Sequence, residues 1–255
     1  MNSFPIYAIW AHPRSLSSVI ERVMMERGDL ATFHEPFSYM YYVTEGHKIN
    51  HLMPDPKRPS TYEEVVQAIH SVAAHGPVYI KDMSYYIVDR LADNEEFFGS
   101  FHNSFVIRHP ARAIASYSKL QTDFSLLEVG LESQYWHLNW ILERQPDWAP
   151  LVIDADQLQS NPGDIMRRYC DLLGLEFMED SLSWEKGLPE QWTDWAKWHI
   201  TVEASTGLEA RTPKPLEASL EVVQSNPRFR EYYEHHLPFY QKMLAYCIDV
   251  PENSD

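Results

Sequence analysis

The chain has 255 residues, 37 of them acidic and 21 Lys or Arg, for a formal net charge of −16. Domains run to about 100–200 residues, so one large domain is expected; 44% apolar and 13% aromatic residues supply an ample core and exclude a disordered chain. The charge excludes nucleic acid and anionic membrane surfaces, which are bound by clustered Lys and Arg.

Met1 to Pro5 lacks the basic and apolar stretches of a signal peptide, and no run approaches the ~18 apolar residues of a spanning helix. Cys170 and Cys247, outside any CxxC pair, are expected to be reduced thiols in a cytoplasmic protein. Phe4 to Trp10 reads as a buried strand ending at His12-Pro13. Leu16, Val19, Ile20, Val23 and Met24 then share one helix face, and Arg27-Gly28 ends that helix. Ala31 to His34 is a second strand with Glu35-Pro36 at its carboxyl end. Residues 46–59, with three prolines, form a loop, and Ser60 with Glu63 makes a capping box for a helix to about His75.

Val78 to Lys81 and Phe105 to Ile107 read as the third and fourth strands. Pro110 opens a helix to about Lys119. A longer helix covers Leu126 to Arg144, with Trp136 and Trp140 as core residues. Leu151 to Ile153 is the fifth strand, and Asn161-Pro162 starts a helix ending at Leu173-Gly174. Strands alternating with helices predict a single α/β domain, 1–255, around a parallel sheet of about five strands flanked by helices. Residues 175–215 form an irregular Trp-rich lid, and 216–250 hold C-terminal helices, the last from about Pro227 to Cys247, with His235-His236 facing solvent. Ligands of such a sheet lie beyond the carboxyl ends of its strands, where His12, Glu35, Lys81 and Arg108 fall.

Two segments carry the chemistry. The first, Ala11 to Ser18, joins strand to helix. Its helix N-terminus, the Arg14 guanidinium and the Ser17 and Ser18 hydroxyls suit a phosphate or sulfate. The alternative is a helix merely capped by Ser15, with Arg14 on the surface. The GxxxxGK[ST] phosphate loop is absent, which weakens a kinase or NTPase reading. The second segment, residues 104–122, contains Arg108, Arg112 and Lys119 and no acid. Arg108 ends a strand and Ser116 lies two turns into the next helix, so both can reach one anion. No metal site is expected: there is no HExxH, and His47 and His51 lie in a loop.

Together these segments resemble the sulfotransferases that use 3′-phosphoadenosine-5′-phosphosulfate (PAPS), in particular a small bacterial branch with a P-loop-like fold. Arg108, Pro110 and Ser116 match the family spacing that holds the 3′-phosphate. His12 to Ser18 occupies the place of the 5′-phosphosulfate loop, which implies Arg14, Ser15, Leu16, Ser17 and Ser18 as cofactor contacts. His34-Glu35-Pro36-Phe37, Lys81-Asp82 and Asp154-Ala155-Asp156 extend the likeness over about residues 5–207. The resemblance implies transfer of a sulfuryl group from PAPS to a hydroxyl, or less readily an amine, of a small-molecule acceptor such as a secondary metabolite. Arg14 stands where many members have Lys, and as a permanent cation it stabilises the leaving phosphate without acting as an acid. Met83 stands where cytosolic members have a catalytic His. Glu35 is therefore expected as the base, with His34 in reserve on the opposite strand face and Asp82 as a further candidate; Lys81 balances charge on the sulfuryl oxygens. Loop 46–60, Tyr85-Tyr86 and the Trp-rich lid are expected to shape the acceptor pocket. The rivals are a non-catalytic nucleotide-binding protein of the same fold and a nucleotide kinase.

Overall fold

Six consecutive buried residues, Ile6–Ala11, form β1, the middle strand of the sheet in the computed structural model, which describes residues 4–145, 148–149 and 151–249. Residues 1–3, where the signal-peptide reading begins, and 250, the end of the expected C-terminal helical region, lie outside the described residues. The other strands are β2 (Ala31–His34), β3 (Val78–Met83), β4 (His102–Ile107) and β5 (Val152–Asp154), all parallel, in the order β2-β3-β1-β4-β5. β1 and β3 are buried along their whole length, as strands covered on both faces must be, which is why they read as unbroken apolar runs. From β1 the chain passes through α1 (Ser17–Glu26) to β2 on one side, and β4 follows on the other. This reversal opens a crevice at the carboxyl ends of β1 and β4.

The remaining helices are α2 (Tyr62–Ala73), α3 (Glu95–Gly99), α4 (Pro110–Tyr117), α5 (Leu131–Arg144), α6 (Ala155–Ser160), α7 (Pro162–Leu172), α8 (Ala196–Glu203), α9 (Glu217–Gln224) and α10 (Pro227–Leu244). The capping box of α2 sits one residue later than the sequence spacing suggests. Thr61 and Glu64 satisfy each other's backbone N–H groups, since Thr61 is the residue with extended backbone. α8 lies in the Trp-rich segment; its Ile200, Thr201 and Val202 give no helical apolar period, so the sequence hid it.

The long helix expected from Leu126 is broken at Gly130, whose φ is +84°. A Cβ there would lie 2.7 Å from Cβ of His12, so glycine both makes the turn and lets α5 close on the β1 loop. α5 then reaches across the crevice: Gln134 Nε2 donates to the carbonyls of Trp10 (2.9 Å) and Val106 (3.0 Å). Gly130→Ala is expected to destabilise by about 1 kcal/mol from the backbone alone, and by more from the clash. Urea unfolding measures it, and an unchanged midpoint would contradict the packing described.

Two expectations are corrected. Trp136 is 55% exposed rather than in the core. His236 is fully buried rather than solvent-facing; its Nε2–H donates to the Leu126 carbonyl (2.8 Å). Among the described residues no helix is long and apolar enough to cross a membrane.

Candidate active site

The loop after β1 leaves a helix end uncapped. Arg14 (φ 66°) and Leu16 (φ 68°) adopt the left-handed backbone that non-glycine residues rarely take. Ser15 does not cap the helix: its hydroxyl donates to the His12 carbonyl (2.7 Å), and α1 starts at Ser17 with no side-chain cap. The backbone N–H groups of residues 16–18 have no protein acceptor among the described residues, so they point donors and the positive helix end at one place.

Arg14 and Arg108 join the two sequence segments. Arg14 Nε donates to Ser116 Oγ (3.0 Å) and Nη1 to the Trp198 carbonyl (3.1 Å). Arg108 donates from Nη1 to the Arg14 carbonyl (2.9 Å), and its backbone N–H bonds Nε2 of the buried His12 (3.0 Å). Nε of Arg108 is buried without a partner among the described residues, a guanidinium donor left over for an anion. Arg112 and Lys214, which sequence reasoning left without a role, line the same wall, and Arg112 Nη1 bonds the Lys214 carbonyl (2.6 Å).

The opposite wall departs from expectation. Glu35 follows β2 with φ +42°, and this left-handed residue cancels the strand alternation that placed His34 on the other face. The two side chains converge, with His34 Nε2 4.0 Å from Glu35 Oε1. Glu35 Oε1 is ion-paired with Lys81 Nζ, and Oε2 accepts from the Tyr86 hydroxyl (3.3 Å). Glu35 lines the cleft; Lys81, His34 and Asp82 do not. Lys81 is fully buried, with its ammonium between Glu35 and Glu21 of α1 (3.8 Å), so it reaches the cleft only through Glu35. Asp82 is spent on structure: its oxygens accept the backbone N–H groups of Phe37 and Met83, each at 2.8 Å.

His34 is held from behind. Nδ1 bonds the Glu21 carboxylate (2.8 Å) and Nε2 lies 3.1 Å from Nε2 of His199. Burial and the nearby Lys81 charge keep His34 well below the usual imidazole range, and burial and His34 do the same for His199. Burial raises the Glu21 carboxyl to about 7, against the pull of Lys81. Glu21 was missed in the sequence, although an acid within the buried face of α1 is an unusual residue there.

Between these walls lies a cleft of about 420 Å³. Arg14 to Ser18, Arg108 and Ser116 line its cationic side; Glu35, Tyr42, Ile49, Met83, Tyr85, Tyr86 and Trp195 line an aromatic pocket with one carboxylate. Of the four clustered tryptophans, Trp184, Trp192 and Trp195 are buried as packing, while Trp195 and the half-buried Trp198 also face the cleft.

The sulfotransferase-domain profile matches residues 6–247. Branched-chain-amino-acid aminotransferase-like protein 2 of Arabidopsis thaliana is 28% identical over 215 residues, 81% of this chain and 36% of the relative. The chain thus spans little more than a third of the curated relatives it matches. In fold it is similar to the sulfotransferase domain of the Synechococcus PCC 7002 olefin synthase, with TM-score 0.52 and 16% identity over 92% of this chain and 95% of the other. A sulfotransferase domain from the curacin biosynthetic pathway gives TM-score 0.52 and 14% identity over 98% and 100%.

Proposed function

Since the chain belongs to the sulfotransferase-domain family, we propose that it transfers a sulfuryl group from PAPS to a hydroxyl of a small-molecule acceptor. The observation that carries this reading is the convergence of Arg14, Arg108 and Ser116 on the uncapped start of α1, across the cleft from a lone carboxylate, Glu35. The donor set fits a nucleotide with anions at two ends. The N–H groups of residues 16–18, the Ser17 and Ser18 hydroxyls and Arg14 receive the 5′-phosphosulfate, while Arg108 and Ser116 receive the 3′-phosphate. PAPS supplies the activated sulfuryl group.

The protein's own work is positioning and charge. Arg14 and the helix end neutralise charge that builds on the leaving phosphate; one such preplaced donor is worth about 10²–10³ in rate. Glu35 accepts the acceptor's hydroxyl hydrogen bond and takes its proton, and Lys81 and Tyr86 fix the carboxylate's direction. The pocket of Tyr85, Tyr86, Ile49 and Trp195 selects an acceptor that presents an apolar or aromatic body beside the hydroxyl. The free Cys170 and Cys247 suit a reducing, cytoplasmic setting. Incubation with PAPS and a panel of alcohols, phenols and amines, read by mass spectrometry, tests the reading. An SO₃ adduct formed only with active protein is expected. Binding of the nucleotide with no adduct across the panel would leave the non-catalytic reading in its place.

A further inference from the structure

Behind the cleft wall lies a chain of three buried side chains that the transfer step does not use. Glu21 from α1, His34 from the end of β2 and His199 from α8 are 0%, 1% and 5% exposed. They are linked in series: Glu21 carboxylate to His34 Nδ1 at 2.8 Å, then His34 Nε2 to His199 Nε2 at 3.1 Å. Trp192 holds both ends, donating its indole N–H to Glu21 (3.2 Å) and lying 4.5 Å from the His199 ring. His199 lines the cleft, and its Nδ1 has no hydrogen-bond partner among the described residues. The neighbouring Trp198 carbonyl is bonded by Arg14, so His199 sits beside the phosphosulfate loop.

Hydrogen bonding couples the tautomers along this chain. A neutral imidazole carries one N–H and one lone pair, and buried imidazoles beside Lys81 and Arg14 stay neutral. With Glu21 ionised, His34 must donate from Nδ1 and accept at Nε2. His199 then donates from Nε2, and its Nδ1 presents a lone pair to the cleft. With Glu21 protonated a second arrangement opens: its hydroxyl donates to His34 Nδ1, every bond reverses and His199 Nδ1 presents an N–H. An anion beside Arg14 is compatible with the second arrangement and repelled by the first.

We propose that Glu21, His34 and His199 form a relay that turns His199 Nδ1 into a donor toward the bound nucleotide, so that binding draws one proton into the protein at Glu21. This rests on the reading that the 5′-phosphosulfate sits at the Arg14 loop. No bond between heavy atoms changes: one proton enters from solvent to Glu21, and the two histidines exchange tautomers. The groups facing Glu21 are Lys81 of β3 (3.8 Å), His34 of β2 and the Trp192 indole N–H, with Arg58 and Tyr79 farther off. Those facing His199 are His34, Lys81 and Arg14. Burial outweighs Lys81 and Arg58 and leaves the Glu21 carboxyl at about 7. The proton is therefore already in place below pH 7 and must be taken up above it.

The test is calorimetry of the product nucleotide, 3′-phosphoadenosine-5′-phosphate, in two buffers of different ionisation enthalpy at pH 8. Wild type should take up about one more proton on binding than Glu21→Gln, whose amide serves either tautomer without titrating. Between pH 7 and 8.5 its affinity should fall roughly 15-fold more than the variant's. Comparing the two proteins removes the nucleotide's own phosphate titration near pH 6. His199→Ala should match Glu21→Gln in proton uptake, and it supplies the comparison if the buried variant does not fold. Equal uptake by wild type and variants would overturn the relay while leaving the nucleotide site intact. An absence of binding at every pH would instead overturn the donor reading itself.

Discussion

Glu35→Gln is expected to lower turnover with PAPS by about two to four orders of magnitude, the usual worth of a positioned base, while product-nucleotide affinity stays within about threefold of wild type. Glu35 is the carboxylate that lines the cleft, and it stands on the wall opposite Arg14 and Arg108, so removing its charge leaves the anion contacts in place. The protein should tolerate the change. Lys81, which loses its nearest partner, still has the Glu21 carboxyl 3.8 Å away, and glutamine still accepts the Tyr86 hydroxyl's hydrogen bond. Comparison of product formation at saturating PAPS with a nucleotide titration separates chemistry from binding. Retained turnover would move the proton-accepting role elsewhere on the cleft wall. A parallel loss of nucleotide affinity would mean that Glu35 holds the loop rather than the acceptor.

The second large effect is on stability. His12, His137 and His236 are buried, and burial holds them at about 3, 3 and 4; His34 and His199 are lowered in the same direction. Neither ring nitrogen of His137 has a partner among the described residues, so a charge there would be unsolvated. In the unfolded chain each protonates near pH 6.5. Below that pH the unfolded state binds more protons than the native one, so stability is lost as the pH falls. Glu21 and Asp82 act in the opposite sense, since their raised carboxyls hold protons in the native state, and Asp154 and Glu128 are raised likewise. The lowered histidines, His102 and His109 included, outnumber these carboxyls, so the unfolded state holds the proton excess, and each excess proton removes about 1.4 kcal/mol of stability per pH unit. Set against a total stability of about 5–15 kcal/mol, this predicts a marked fall in stability between pH 6.5 and pH 5. Circular dichroism across pH 7.5 to 4.5 reads it directly. A protein equally stable at pH 7 and pH 5 would contradict the burial of these histidines.

The sheet was legible because its signals are local. Apolar runs at Ile6–Ala11 and Val78–Ile80 and the helical period after Ser15 each report burial by near neighbours in sequence. The Arg108–Ser116 pair was legible for the same reason, since one strand end and one helix fix its geometry. What escaped depends on distant partners or on a single dihedral. His34 and Glu35 meet because one φ angle is +42°, and nothing in the strand pattern announces it. Lys81 turns inward because Glu21 on α1 and Glu35 after β2 meet it there. His199 gained its place because α8, weak in period, brings it to His34 across 165 positions of sequence. The −16 charge remains a property of the exterior; Arg14, Arg108, Arg112, Lys119 and Lys214 gather in one cleft, where short-range donors outweigh the bulk field.

On the proposed function this cleft holds a nucleotide by its 3′- and 5′-anions. Titration of wild type and Arg108→Ala with 3′-phosphoadenosine-5′-phosphate at pH 7, with adenosine-5′-phosphate as the comparison ligand, tests it most directly. Wild type should bind tightly, with about 10–100-fold weaker binding after loss of the charged donor and the same weakening when the ligand lacks its 3′-phosphate. Wild-type protein that does not bind, or that binds both nucleotides equally and is indifferent to Arg108→Ala, would contradict it.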